Sequence, residues 1–285
     1  MIAVTGASGQ LGRLVIQALL GTVPANQVLA IVRDVSKADD LRASGVQLRQ
    51  GDYSKPDTLA SALEGVKKLL LVSSSEVGQR LEQHKNVIQA AKTAGVELIA
   101  YTSILHADTS PLVLAKEHIE TEQLIRDSGL PFVFLRNSWY IENYFSAVGT
   151  ALETGKVFGA AGEGKFSAAS REDYAAAAAA VLTGSDQAGK IYELAGDQAF
   201  TLGELAATLA DLSGKPVTYV NFAETEYKDM LVSFGLPEGF AYVLAQSDTG
   251  AAQGGLYDAD GQLGKLIQRP TTTLRAVLQA HLSSI

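Results

Sequence analysis

Glycines at positions 6, 9 and 12 follow an apolar tripeptide, Ile2–Val4, and open a periodic apolar stretch over 11–20. In the run Thr5-Gly6-Ala7-Ser8-Gly9-Gln10-Leu11-Gly12 each glycine has its own task. Gly6 lets the chain leave a strand without a Cβ clash, Gly9 lets the backbone approach a pyrophosphate, and Gly12 lets the helix pack close to a sheet. The helix then offers unpaired N–H groups and the positive end of its dipole to phosphate. The strand–turn–helix context separates this run from a plain tight turn. Gly6, Ser8, Gly9, Gln10, Leu11 and Gly12 are therefore the expected pyrophosphate contacts of a bound dinucleotide.

The second apolar run, 28–32, ends in Arg33. An acidic residue at that place binds the ribose 2′-hydroxyl of NAD, whereas a guanidinium grips a 2′-phosphate in a fork. Arg33 thus favours NADPH over NADH; the plainer alternative is a solvated surface arginine, with Asp34 on the ribose or paired to it. Ser73, Ser74 and Ser75 follow the fourth apolar run, at the sheet edge where doubly wound folds bind ligands. Their hydroxyls either meet the cofactor or cap a turn. Trp139 and Tyr140 form an aromatic pair, flanked by Asn137 and Asn143, whose amides can donate to a carbonyl. The plainer alternative for Trp139 is a place in the core, and a site role for at least one of this group is favoured over it. His84 lies on an apolar helix stripe, which suits a packed, satisfied ring, and His106 has no assignment. No His/Asp/Glu cluster has metal-ligand spacing, and there is no cysteine, which removes thiolate nucleophiles, disulfides and thiolate-held metals.

Positioning these groups requires alternating elements. Strands are expected at 2–4, 28–32, 46–50, 68–72, 97–102 and 132–135, with helices near 11–20, 37–43, 57–63, 79–94 and 114–127. That alternation predicts an α/β fold, a doubly wound parallel Rossmann-type sheet. Gly45, Gly95 and Gly129 fall where helix C-terminal caps are expected. Farther on, the pattern predicts helices at 139–152 and 174–182, a strand at 190–194, and a capping box at Thr201-Leu-Gly-Glu204. The stretch 235–255, rich in glycine and aromatics, reads as a helical lobe over the site. The expected organisation is a cofactor domain over 1–150, with later contributions near 170–195, and a smaller, mainly helical lobe over 151–285.

Composition narrows the partners. The net charge is −8, and an acidic surface repels phosphate backbones, so nucleic acid is not an expected partner. No apolar run reaches the roughly 18 residues that cross a bilayer, so membrane insertion is not expected. Met1 runs directly into the first strand, leaving no room for a signal peptide, and a cysteine-free chain suits the cytoplasm.

Several stretches resemble the NmrA-like branch of the atypical short-chain dehydrogenases/reductases. They are Ala30-Ile-Val-Arg33, Gly51-Asp-Tyr53, Ala90-Ala-Lys-Thr-Ala-Gly95, His118-Ile-Glu-Thr-Glu122, Asp127-Ser-Gly129, Leu135-Arg-Asn137, Ser170-Arg-Glu-Asp173 and Pro270-Thr-Thr-Thr-Leu274. Leu71 to Arg80, His106 to Pro111 and Asn137 to Tyr144 are similar to the bacterial NAD(P)H:quinone oxidoreductases of that branch. The resemblance implies NADPH-dependent reduction of a small quinone without flavin. It also implies Asn137 and Ser138 beside the cofactor, and Asn143, Tyr140 and Trp139 at the acceptor. Ser103 stands where the superfamily keeps its catalytic serine. The superfamily's Tyr-x-x-x-Lys is replaced by Leu114 and His118, with Lys116 out of phase. His118 could act there or pack against the cofactor side. The gap disfavours ordinary alcohol chemistry and suits a quinone, or a redox sensor of the same family that binds NADPH without turnover. Superfamily dimers commonly pair the two helices expected at 79–94 and 114–128, which would give a homodimer.

Overall fold

A computed structural model describes residues 1–284 of the chain; Ile285, the end of the expected second domain, lies outside the described residues. The strands are β1 (Ile2–Val4), β2 (Val28–Val32), β3 (Gln47–Gln50), β4 (Lys68–Leu71), β5 (Leu98–Ile104), β6 (Phe132–Asn137), β7 (Lys156–Gly159), β8 (Lys190–Leu194) and β9 (Thr218–Asn221). The helices are α1 (Gln10–Leu20), α2 (Asp39–Ala43), α3 (Pro56–Ala62), α4 (Arg80–Thr93), α5 (Ala115–Ser128) and α6 (Phe145–Thr154). They continue with α7 (Arg171–Thr183), α8 (Leu202–Ser213), α9 (Glu224–Ser233), α10 (Glu238–Ala252), α11 (Gln262–Ile267) and α12 (Leu274–Leu282).

A seven-stranded sheet runs in the order β3-β2-β1-β4-β5-β6-β8. The β1–β2, β1–β4, β2–β3, β4–β5 and β5–β6 pairs are parallel. The order reverses between β1 and β4, so the glycine turn after β1 stands at the topological switch point, where doubly wound sheets bind ligands. Both faces of such a sheet are covered, so its strands read as continuous apolar runs; Val28 to Val32 are all at most 1% exposed. Leu29, Ile31, Leu69, Leu71, Ile99, Tyr101 and Phe134 share one core cluster with Leu59, Val87 and Ile125 from the helices and Leu63 just after α3. Gly45, Gly95 and Gly129 take positive φ after their helices, as C-terminal caps do.

Two compact units are present. Among the described residues, one comprises 1–107, 116–137 and 171–192, the other 108–115, 138–170 and the stretch from Glu193 onward. The second holds the two-stranded β7–β9 sheet and helices α6 and α8 to α12. Thr201 and Glu204 close the expected capping box at the start of α8, and α10 occupies the glycine- and aromatic-rich stretch.

One element departs from expectation. The predicted helix over 139–152 begins only at Phe145, after a 3₁₀ turn, Ile141–Tyr144. Residues before it are extended because their backbone has another partner. Ala169 N–H donates to Trp139 O and Ile141 N–H to Ala169 O, each at 3.1 Å. Neighbouring aromatic side chains suit that extended state better than a helix.

Candidate functional site

The turn after β1 is built around open backbone donors. Gly6 sits at φ +58°, a conformation L residues avoid, and Gly9 N–H donates back to Gly6 O at 2.9 Å. Gly9 caps α1 at φ −77° with no side-chain cap. What Gly9 supplies is therefore room rather than unusual dihedrals. Uncapped, the first turn of α1 leaves its N–H groups without intrahelical partners. Ser8, Gly9 and Gln10 are exposed, and Leu11 and Gly12 are buried beneath them. A Cβ at Gly12 would stand 2.7 Å from Ala7 Cα, so only glycine lets α1 lie this close to the turn. The donor set fits a pyrophosphate.

Arg33 ends β2 with 72% of its side chain exposed and an ion pair to Glu76 at 3.1 Å. Asp34 is turned into its own loop, accepting from Ser36 N–H at 3.0 Å, which leaves Arg33 as the group presented at the strand end. Arg13, in the first turn of α1, donates Nε–H to Ser8 O at 3.0 Å and is ion-paired with Asp40. Arg13 therefore buttresses the glycine turn, a role the sequence reading missed. A cation one turn into the helix after the glycines was the available signal. Tyr53 was also missed as a turn residue. Its hydroxyl lies 2.5 Å from Thr5 Oγ1 and 2.8 Å from Val72 O, joining the ends of β1 and β4 beneath the switch point.

The serine run after β4 is tied mainly to protein. Ser73 N–H donates to Thr102 Oγ1 at 2.8 Å and Ser74 N–H to His84 Nε2 at 2.9 Å. The Ser74 hydroxyl bonds Gln83, and Ser75 is exposed. His84 is fully buried. Its Nε2 accepts, so the proton sits on Nδ1 and is donated to Thr121 Oγ1 at 3.0 Å. Burial, with a smaller push from Arg80, drives its pKa down to about 3, so the ring is a neutral strut for the loop.

Ser103 and His118 are likewise engaged in the core. Ser103 Oγ donates to Glu122 Oε1 at 2.7 Å. Arg136 grips the same carboxylate with two bonds, at 2.9 and 2.6 Å. His118 Nδ1 lies 2.7 Å from the Tyr101 hydroxyl; burial first, then Arg80 and His84, hold its pKa well below the ordinary value. Both side chains are held by hydrogen bonds within the protein core. At the end of β6, the Asn137 side-chain oxygen is buried with no hydrogen-bond partner. Such an atom costs free energy until a ligand or water satisfies it, which fits a cofactor amide. The next residue, Ser138, is buried, its N–H bound to Leu194 O at 2.8 Å.

Within the second unit lies a cavity of about 360 Å³. Trp139 and Asn143 line it, together with Leu205, Leu209, Met230 and Leu231 as an apolar wall. Tyr140 is half-buried, its backbone bridged to Ala169. The polar groups facing the cavity include Tyr144, Tyr227 and Asp248. The Tyr144 hydroxyl oxygen is buried without a partner. Asp248 is 9% exposed, and its Oδ2 accepts Ala160 N–H at 2.8 Å. Burial, offset in part by that bond, raises the Asp248 pKa to about 7. An apolar chamber with a few convergent polar groups is the form small-molecule sites take. Among the described residues no group of His, Cys, Asp and Glu could hold a metal ion, and no helix is long and apolar enough to cross a membrane.

Residues 1–272 match the model of the NmrA-like family. The chain is 58% identical over its full length to quinone oxidoreductase 2 of Escherichia coli K12, covering 99% of that protein. The crystal structure of the Escherichia coli NADPH-dependent quinone oxidoreductase complexed with NADPH superposes with a TM-score of 0.96 at 58% identity, over 99% of this chain and 100% of that one. A more distant relative, the NAD(P)H azoreductase of Xenophilus azovorans, is 33% identical over 99% of this chain and 98% of its own length.

Proposed function

This chain belongs to the NmrA-like family, and on that premise we propose that it is an NADPH-dependent quinone reductase that moves hydride directly to the quinone, without flavin. The observation that carries the reading is the full-length 58% identity to a quinone oxidoreductase, supported by the uncapped glycine cradle at the switch point.

NADPH, when bound, supplies the hydride. Gly6, Ser8, Gly9, Gln10, Leu11 and Gly12 hold the pyrophosphate, Arg33 the 2′-phosphate, Ser73 to Ser75 the adjoining edge, and Asn137 with Ser138 the nicotinamide end. Trp139, Tyr140 and Asn143 hold the acceptor, Trp139 offering a planar face and Asn143 an amide donor. A reduced quinone is a delocalised phenolate, far less basic than an alkoxide. It therefore needs no strong acid in the transition state, and Leu114 at the tyrosine position is no handicap. The same substitution makes simple ketones and aldehydes poor substrates, by roughly 10²–10⁴ in rate. The enzyme acts in the cytoplasm as a homodimer paired through α4 and α5.

NADPH oxidation measured with and without benzoquinone tests the reading. The expected result is quinone-dependent oxidation by a colourless protein, unaffected by a chelator. A yellow protein whose activity follows its flavin content would overturn the direct transfer. Tight NADPH binding with no quinone reduction would assign the chain a sensing role instead.

A further inference from the structure

We propose that Asp248 selects the acceptor: its carboxylic acid donates a hydrogen bond to a carbonyl oxygen of a neutral, planar quinone, and its carboxylate turns away acceptors that carry negative charge. The inference rests on the quinone-reductase reading and adds the substrate class to it.

Asp248 lies on α10, on the stripe with Ala241, Ala245 and Ala251, all buried. A carboxyl group on an apolar helix face is costly to retain unless it is used. Its position is built with some care. Gly159, at the end of β7, has no side chain where a Cβ would come within 2.7 Å of Asp248 Oδ2. That gap lets the carboxyl group reach Ala160 N–H. One oxygen is thereby engaged as an acceptor, and Asp248 is among the residues that line the cavity. The other oxygen, when protonated, is the O–H donor left for a ligand in the cavity.

The surrounding charges are few. Tyr144 beside α6, Tyr219 on β9 and Tyr227 on α9 all sense Asp248. Burial comes first among the causes that raise each phenol's pKa, that of Tyr219 to about 12, so all three stay neutral where Asp248 titrates. Lys156 on β7 also lines the cavity but is exposed to solvent. Glu224 on α9 accepts from Thr249, the neighbour of Asp248, at 2.5 Å. Asp248, with a pKa near 7, is the group whose charge changes around neutrality. Below that point the cavity offers a neutral donor. Above it the cavity holds a buried anion.

The chain's single tryptophan, Trp139, lines the same cavity, so its emission reports occupancy without turnover. The experiment titrates the NADP⁺-loaded protein with 2-methyl-1,4-naphthoquinone and with its ring-sulfonated analogue, from about pH 6 to about pH 8. In the wild type, the dissociation constant of the neutral quinone should rise about tenfold across that range, in step with the fraction of Asp248 protonated. The sulfonated analogue should bind more weakly than the neutral quinone above about pH 7, where the cavity holds the carboxylate, and Asp248→Asn should remove that penalty. Asp248→Asn keeps an acceptor for Ala160 N–H and a donor for the quinone but cannot ionise. It should bind the neutral quinone with no pH dependence, with its NADPH affinity close to wild type and its melting temperature close to wild type at about pH 4. A pH dependence that survives in Asp248→Asn, or none in the wild type, overturns the role of Asp248 and leaves the quinone site standing. If the wild type neither binds nor reduces a quinone at any pH, the quinone-reductase reading fails, and this proposal with it.

Discussion

The Tyr101 hydroxyl and His118 Nδ1 lie 2.7 Å apart in the core, tying β5 to α5. Both residues are buried, Tyr101 completely and His118 to 6% exposure. His118 is therefore part of a neutral polar core that also contains His84 and Thr121.

That core predicts acid lability. Each ring is held neutral in the folded state, His84 down to about pH 3, while the unfolded chain protonates its histidines below about 6.5. The unfolded state then binds more protons, so stability falls as pH drops through 6.5, by up to about 1.4 kcal/mol per pH unit for each ring. Denaturant unfolding at about pH 7 and about pH 5 should show His84→Gln losing about 2 kcal/mol less than wild type over that interval. Equal losses would mean that His84 already titrates normally in the folded protein.

Arg33→Ala should weaken NADPH and leave NADH nearly unchanged. A charge-assisted fork to a phosphate is worth about 1.5–3 kcal/mol. With Arg33 72% exposed, solvent screening places the effect at the low end, roughly tenfold in affinity. Parallel titrations with the two cofactors decide it. If both weaken alike, Arg33 does not contact the 2′-phosphate.

Gly9→Val should abolish cofactor binding in a protein that still folds. Gly9 has an ordinary negative φ, so valine adds no backbone strain there. A Cβ would sit 3.2 Å from Gly6 O, and the branches beyond it would occupy phosphate space. Circular dichroism should match wild type while the NADPH titration is flat. Normal binding would remove the turn from the site.

The glycine turn and the strand–helix alternation were readable in sequence because each rests on local chemistry: a turn with one steric solution, and apolar runs of strand and helix period. The extended segment at Trp139 and Tyr140 was not, because its partner, Ala169, lies about thirty residues on and carries no pairing signal. The structural bonds of Ser103 and His118 were hidden for the same reason, since Glu122 and Tyr101 are neighbours only in the folded chain. Asp248 left a faint trace: a lone acid at helical spacing from Ala241 and Ala245.

Asp248 should make the fold less stable toward high pH. Its carboxyl group keeps a proton to about pH 7 when folded, against 3.8 ordinarily. Between those values the folded state binds more protons than the unfolded one. Stability therefore declines as pH rises from about 4 to about 7, on the order of 1.4 kcal/mol per unit, and stays at the lower level above that. Asp248→Asn should raise the melting temperature at about pH 8 by several degrees and change it little at about pH 4. A variant no more stable at high pH would mean that the folded carboxylate is well solvated.

Tyr144→Phe should separate the stability of the cavity from its use. The Tyr144 hydroxyl oxygen is buried and lacks a hydrogen-bond partner, while its ring packs edge-on against Phe166 and Phe200, at centroid distances of 6.0 and 6.1 Å. Phenylalanine preserves that packing and removes the unsatisfied group, whose burial costs about 1–3 kcal/mol. The ligand-free variant should be more stable than wild type, by up to about that amount. If the hydroxyl is kept for a quinone carbonyl, the same change should weaken quinone binding by roughly 2- to 10-fold, the worth of one neutral hydrogen bond, with NADPH affinity intact. Thermal melts and Trp139 quenching on one preparation give both readings. A variant that is destabilised would show that the hydroxyl is already bonded in the free protein. A variant that is stabilised yet binds quinone unchanged would take Tyr144 out of the acceptor site.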